Sequence, residues 1–106
     1  MDEYLKFKET RNLLINAVEE MKEFGLKLAY AENNYRKHLT TKILKLRSDG
    51  VAWTACHDIA KGSEEVSDHL LNRDIQEVLY NSAQEKVNTL KIEVRIQENE
   101  LKNTNY

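Results

Sequence analysis

Phe7, Leu14, Met21, Leu28 and Tyr35 fall seven residues apart, and Val18, Gly25, Leu39 and Leu46 form a second row four residues on from the same heptad positions. Alternating steps of three and four keep one narrow helix face turned toward a partner, as a coiled-coil seam requires. Arg11, Glu32 and Lys42 interrupt the stripe, while Ala17, Phe24 and Ala31 widen it toward the face of a bundle helix. The pattern predicts a first helix over about residues 3–47. Gly25 costs about 1 kcal/mol relative to alanine inside a helix, and a close helix–helix crossing or slight bend accounts for it more simply than a hinge.

A second long pattern covers about residues 64–102. Its apolar positions include Val66, Leu70, Leu71, Ile75, Val78, Leu79, Ala83, Val87, Leu90, Val94 and Leu101. From Ala83 the steps to 87, 90, 94, 97 and 101 alternate four and three, broken only by Gln97. Ser63 suits an N-cap, and Glu64 and Glu65 complement the positive end of the helix dipole. Between the long patterns, Ser48, Asp49 and Gly50 stop the first helix, and Gly62 stands where a left-handed C-cap is expected. A short helix over about 51–61 joins them, with Val51, Trp53, Ile59 and Ala60 available to cover the end of a hairpin.

The expected fold is therefore all-α: two long antiparallel helices joined by a short one, a single helical-hairpin domain over 1–106 with a frayed tail at about 103–106. At 1.5 Å per residue the long helices reach about 67 and 58 Å. Two helices side by side have little interior, and a small chain buries a low fraction of its surface. Assembly into an oligomeric helical bundle, most simply a homodimer, is the expected remedy. Leu14, Val18, Met21, Leu28, Tyr35, Leu90 and Val94 are the expected oligomer seam.

Composition sharpens this picture. The chain has no proline and only three glycines, so the turn residues of an all-β fold are missing. Its single cysteine, Cys56, excludes an intrachain disulfide and makes a reducing compartment the default. No apolar run approaches the roughly 18 residues of a membrane span, and the charged start is unlike an apolar leader. The overall charge of −2 conceals blocks: residues 33–48 carry five bases and no acid, whereas residues 49–77 carry seven acids against Lys61 and Arg73. An antiparallel hairpin brings these blocks together.

Four clusters are candidates for chemistry. Arg36, Lys37, Lys42, Lys45 and Arg47 form a basic segment able to meet phosphate, with Tyr30 and Tyr35 near enough to stack; an internal electrostatic seam is the more economical reading. Cys56, His57 and Asp58, with Asp68 and His69, are the metal- and thiol-capable residues. Zinc sites space their ligands, whereas neighbours on a helix diverge by about 100°, so neither a metal, a cofactor nor catalysis is expected. Cys56 reads as a small buried residue. Trp53 packs under the hairpin end or anchors a partner, and Asp49, Trp53 and His57 outline a partner-binding tip. Arg73, Asp74, Glu77 and Tyr80 form either an ordinary Arg73–Glu77 intrahelical pair or a half-buried network that sets subunit register.

The stretch from Lys42 to Asn88, with Leu26–Arg36 upstream, resembles small helical proteins of phages and prophages of Gram-positive bacteria. Leu44–Arg47, Gly50, Asp58–Gly62, Glu65–Val66, Arg73–Asp74 and Glu77–Tyr80 carry the resemblance. It departs at Trp53–His57, where those proteins hold a proline-containing segment. The resemblance implies expression in the cytoplasm of an infected or lysogenic bacterium and transfers no activity to particular residues. The combined expectation is a non-enzymatic accessory protein acting by stoichiometric binding, with itself and a host bacterial protein as partners. Nucleic-acid or anionic-nucleotide binding through 36–47 is the alternative.

Overall fold

A computed structural model describes residues 2–104. It is all-helical: α1 (Glu3–Ser48), α2 (Trp53–Gly62) and α3 (Glu64–Thr104), with no strand among the described residues. The expected pattern of two long helices joined by a short one holds. α3 runs beyond the expected end at 102, and residues 105 and 106 of the expected frayed tail lie outside the described residues.

The helix ends follow from local chemistry. Asp2 caps α1: its carboxylate accepts the Tyr4 N–H at 2.9 Å and its carbonyl accepts the Lys6 N–H at 3.1 Å. At the other end the Val51 N–H reaches the Leu46 carbonyl and the Gly50 N–H reaches that of Arg47, with Gly50 at φ 92°. This paired closure with a left-handed residue is a Schellman cap, a conformation glycine adopts without strain. The expected second left-handed cap at Gly62 does not form. Gly62 ends α2, and the chain turns instead through Ser63 in extended conformation. The Ser63 hydroxyl donates back to the Ala60 carbonyl at 2.7 Å, so only its carbonyl, which accepts the Ser67 N–H, helps to start α3.

The chain divides into two compact units. The terminal unit comprises Met1–Gly25 and Leu79–Tyr106; the central unit is Leu26–Val78. In the terminal unit, Gly25 meets Tyr80 and Glu20 meets Lys86, so α1 and α3 run antiparallel. Ala17, Ala83 and Val87 are buried there, with Phe7, Leu14, Val18, Met21, Phe24, Leu90 and Val94 half-buried. A Cβ at Gly25 would stand 3.2 Å from the Tyr80 ring, so this glycine marks a close crossing, and α1 continues through it unbroken.

In the central unit, Glu32 meets Arg73, and His38 meets His69 and Glu65, again antiparallel. Its fully enclosed apolar residues lie where α2 docks: Cys56, Ala60 and Val66. Ala31 and Tyr35 are also buried, and Leu28 is half-buried. Of the expected cover over the hairpin end, Ala60 is fully buried and Val51 half-buried, whereas Trp53 and Ile59 are exposed; Cys56 is enclosed as well. Trp53 occupies the first turn of α2, and Cys56, three residues on, takes the inward position.

Burial on α1 follows the Phe7–Tyr35 row together with Thr10, Ala17, Phe24, Ala31 and His38, three residues on from it. On α3 it follows 66, 69, 73, 76, 80, 83, 87, 90, 94, 97 and 101, an unbroken alternation of three and four. The burial of Leu14, Val18, Met21, Leu28, Tyr35, Leu90 and Val94 arises within one chain. The large apolar side chains that remain exposed lie on other residues.

Candidate functional site

The central unit holds the chemistry-bearing residues. Its α1–α3 seam mixes charged and polar side chains with Ala31 and Tyr35, where that of the terminal unit is mostly apolar. His69, Arg73 and Gln76 occupy inner positions of α3 and are half-buried, as is Glu32 on α1. Arg73 Nη1 donates to Glu32 Oε2 at 3.1 Å, its Nε and Nη2 donate to Asp74 Oδ1, and its guanidinium stands 5.5 Å from the Tyr35 ring centre. Arg36 Nε closes the network on Glu32 Oε1 at 2.9 Å. The hydrogen bond from Arg73 holds the Glu32 carboxyl below its ordinary pKa despite the opposing effect of burial, with Arg36 assisting. The bond to Glu32 likewise raises Arg73, which stays charged.

The expected Arg73–Glu77 pair is thus replaced by a half-buried network reaching across to α1. Glu77 takes no part in it. Glu32 entered the sequence pattern only as an interruption of the apolar stripe, which was the available signal: a carboxylate on an inner face calls for a buried cationic partner.

The basic segment separates into three parts. Arg36 is paired with Glu32. Arg47 donates to the Val51 carbonyl at 3.3 Å and lies 5.3 Å from the Trp53 ring centre, a cation–π distance. Lys37, Lys42 and Lys45 form no ion pair among the described residues, and with His38, Thr41 and Glu65 they line a cleft of about 310 Å³. Three of the five bases therefore remain unneutralised by the acidic start of α3. Among the described residues the one acid–base pair between the blocks is His38 Nε2 to Glu65 Oε1 at 3.6 Å. His38 Nδ1 lies 2.7 Å from the Asn34 carbonyl, which can only accept, so Nδ1 carries a proton. The His38 ring stacks on His69, centroids 3.8 Å apart.

At the tip, Trp53 is 59% exposed and shares a face of α2 with His57, which is exposed and lies 3.8 Å from Asp58. Asp49 is exposed at the end of α1 and forms no ion pair among the described residues. Trp53 does not pack under the hairpin end; its first turn of α2 leaves the indole outside. Cys56 is fully buried, its thiol 3.5 Å from the Val51 carbonyl. His69 stacks on His38, and among the described residues no three His, Cys, Asp or Glu side chains gather in a way that could hold a metal ion.

No described helix is long and apolar enough to cross a membrane. Among known proteins, no family model, curated sequence or solved structure matches the chain.

Proposed function

We propose that this chain is a non-enzymatic accessory protein that acts by stoichiometric binding as a helical oligomer. The observation that carries the reading is the outward placement of large apolar side chains in the central unit: Trp53 is 59%, Leu71 59%, Ile75 47% and Val78 63% exposed, while Glu32, His69, Arg73 and Gln76 take half-buried positions. Exposed apolar side chains aligned on one helix face mark an interaction surface when they are contiguous. Leu71, Ile75 and Val78 follow four-then-three spacing on α3 and so share a face. Trp53 stands apart on α2, with Arg47 beside its ring, an aromatic–arginine pairing enriched at binding hot spots. The first surface serves assembly; the tip with Asp49, Trp53 and His57 serves a second partner, a host protein in the bacterial cytoplasm if the phage resemblance holds.

Light scattering at 10–100 µM tests assembly. A mass of twice the 12.4 kDa chain or more is expected, and a chain-mass species throughout that range overturns the reading. Trp53→Ala tests the tip. Its side chain is exposed, so thermal stability stays within about 0.5 kcal/mol while partner binding falls; a large loss of stability places the indole in the core and removes the anchor.

A second reading rests on the three unpaired lysines. Lys37, Lys42 and Lys45 present positive charge to a cleft whose one carboxylate is Glu65, a setting suited to a phosphate-bearing ligand such as a nucleotide or single strand. Binding of a fluorescent oligonucleotide at low ionic strength, lost steeply with salt and abolished in the triple alanine variant, is the expected result. No binding at low salt to DNA, RNA or mononucleotides eliminates it.

A further inference from the structure

The outer face of α3 carries a second row with the spacing of the inner one. Leu71, Ile75, Val78, Ser82, Glu85, Thr89, Ile92 and Ile96 follow steps of four, three, four, three, four, three and four. The central unit contributes Leu71, Ile75 and Val78; the terminal unit contributes Ile92 at 56% exposure and Ile96 at 47%. A sustained three–four row is the pattern that another helix fills, knob into hole.

The row is also close to symmetric end to end, Val78 against Thr89 being its one mixed pair. Set antiparallel against its own copy, Leu71 meets Ile96, Ile75 meets Ile92, Val78 meets Thr89, and Ser82 meets Glu85. Apolar positions meet apolar ones at both ends, and the polar pair falls at the centre. Such self-matching is what a two-fold, isologous interface demands. A parallel arrangement repeats every position against itself, which sets two Glu85 carboxylates side by side.

Flanking charges agree. In the antiparallel arrangement the positions just before the 75 and 96 knobs face each other, which brings Asp74 of one copy to Arg95 of the other, twice per dimer. Asp74 is exposed although it also pairs with Arg73, and Arg95 is exposed and forms no ion pair among the described residues. Opposite charges at such flanking positions govern partner choice and orientation.

We infer that the outer face of α3 binds a second copy of this chain, antiparallel about a two-fold axis between residues 83 and 84, so that the central-unit stripe of one copy docks on the terminal-unit stripe of the other. The inference rests on the oligomeric reading above and adds its surface and orientation.

Paired cysteines test it in the full chain carrying Cys56→Ser. Ile75→Cys and Ile92→Cys chains are oxidised separately and after mixing. A disulfide-linked species formed in the mixture, well above that of either chain alone, is the expected result. Self-linked Ile75→Cys signifies parallel pairing and overturns the inference. Dimeric mass without any cross-link also overturns it while leaving the oligomeric reading intact; monomeric mass for the parent chain removes both. A charge exchange provides an independent readout: Arg95→Asp weakens dimerisation at least tenfold at low salt, and Asp74→Arg with Arg95→Asp restores it. Failure of the exchange together with failure of the cross-link leaves nothing of the proposed face.

Discussion

The terminal and central units share one geometry and differ in what they place inside it. Both bury a three–four row on α1 against one on α3, antiparallel. In the terminal unit the row holds Ala17, Phe24, Ala83, Val87, Leu90 and Val94, and water is excluded by apolar contact. In the central unit it holds Ala31, Tyr35, His38, His69, Arg73 and Gln76, with Glu32 beside it, and the most enclosed side chains there are Cys56, Ala60 and Val66. Helix spacing therefore decides where burial occurs without deciding what is buried. Leu71, Ile75 and Val78 of the central unit, like Ile92 and Ile96 of the terminal unit, keep about half or more of their surface exposed.

The largest effect should come from forcing the terminal unit to resemble the central one. Val87→Asp puts an unpaired charge into an apolar seam and should cost several kcal/mol, about 3 or more, read as a loss of cooperative thermal unfolding. Val66→Ala removes enclosed methyl groups beneath α2 and should cost about 2 kcal/mol, measured by urea denaturation. Breaking the polar seam with Glu32→Gln should cost less, about 1 kcal/mol, since the network is half exposed. It also carries a pH signature. The folded carboxyl is held below the ordinary value of 4.5, so its contribution is complete above that pH and is lost as pH falls through the depressed folded value. The parent chain should lose more stability than the variant between pH 6 and 3, and equal losses would refute the role given to Glu32. Leu71→Asp should have the smallest effect on the isolated chain, within about 0.5 kcal/mol, while lowering the self-association measured by sedimentation.

The long helices and the three–four row beyond Ala83 were readable because helix formers and large apolar residues coincide there. The inner row of the central unit was hidden because Arg73 and Gln76 stand where the period calls for leucine. Leu71, Ile75 and Val78 pull a hydrophobicity reading to the opposite face. Alanines misled in the other direction: Ala17 and Ala31 are nearly enclosed yet carry little apolar weight, so the neighbouring row of Val18, Leu39 and Leu46 drew attention. Trp53 defeated the rule that the largest apolar residue goes inside, because α2 begins at that residue. The lysines of the cleft were legible from spacing alone; that Arg36 and Arg47 are engaged elsewhere required knowing where Glu32 and the α1–α2 turn lie.

The Glu32–Arg73 bond also answers a question any heptad zipper raises. A pattern that repeats every seven residues is degenerate under translation: one helix can slide a whole repeat past the other and find much the same row of knobs. One repeat of slippage would set Arg73 opposite Leu39 or Gly25, leaving its guanidinium with Asp74 alone and Glu32 without it, at a penalty of about 1 kcal/mol. The bond works like the pin of a vernier, contributing little to the grip of the jaws but admitting a single setting of the scale.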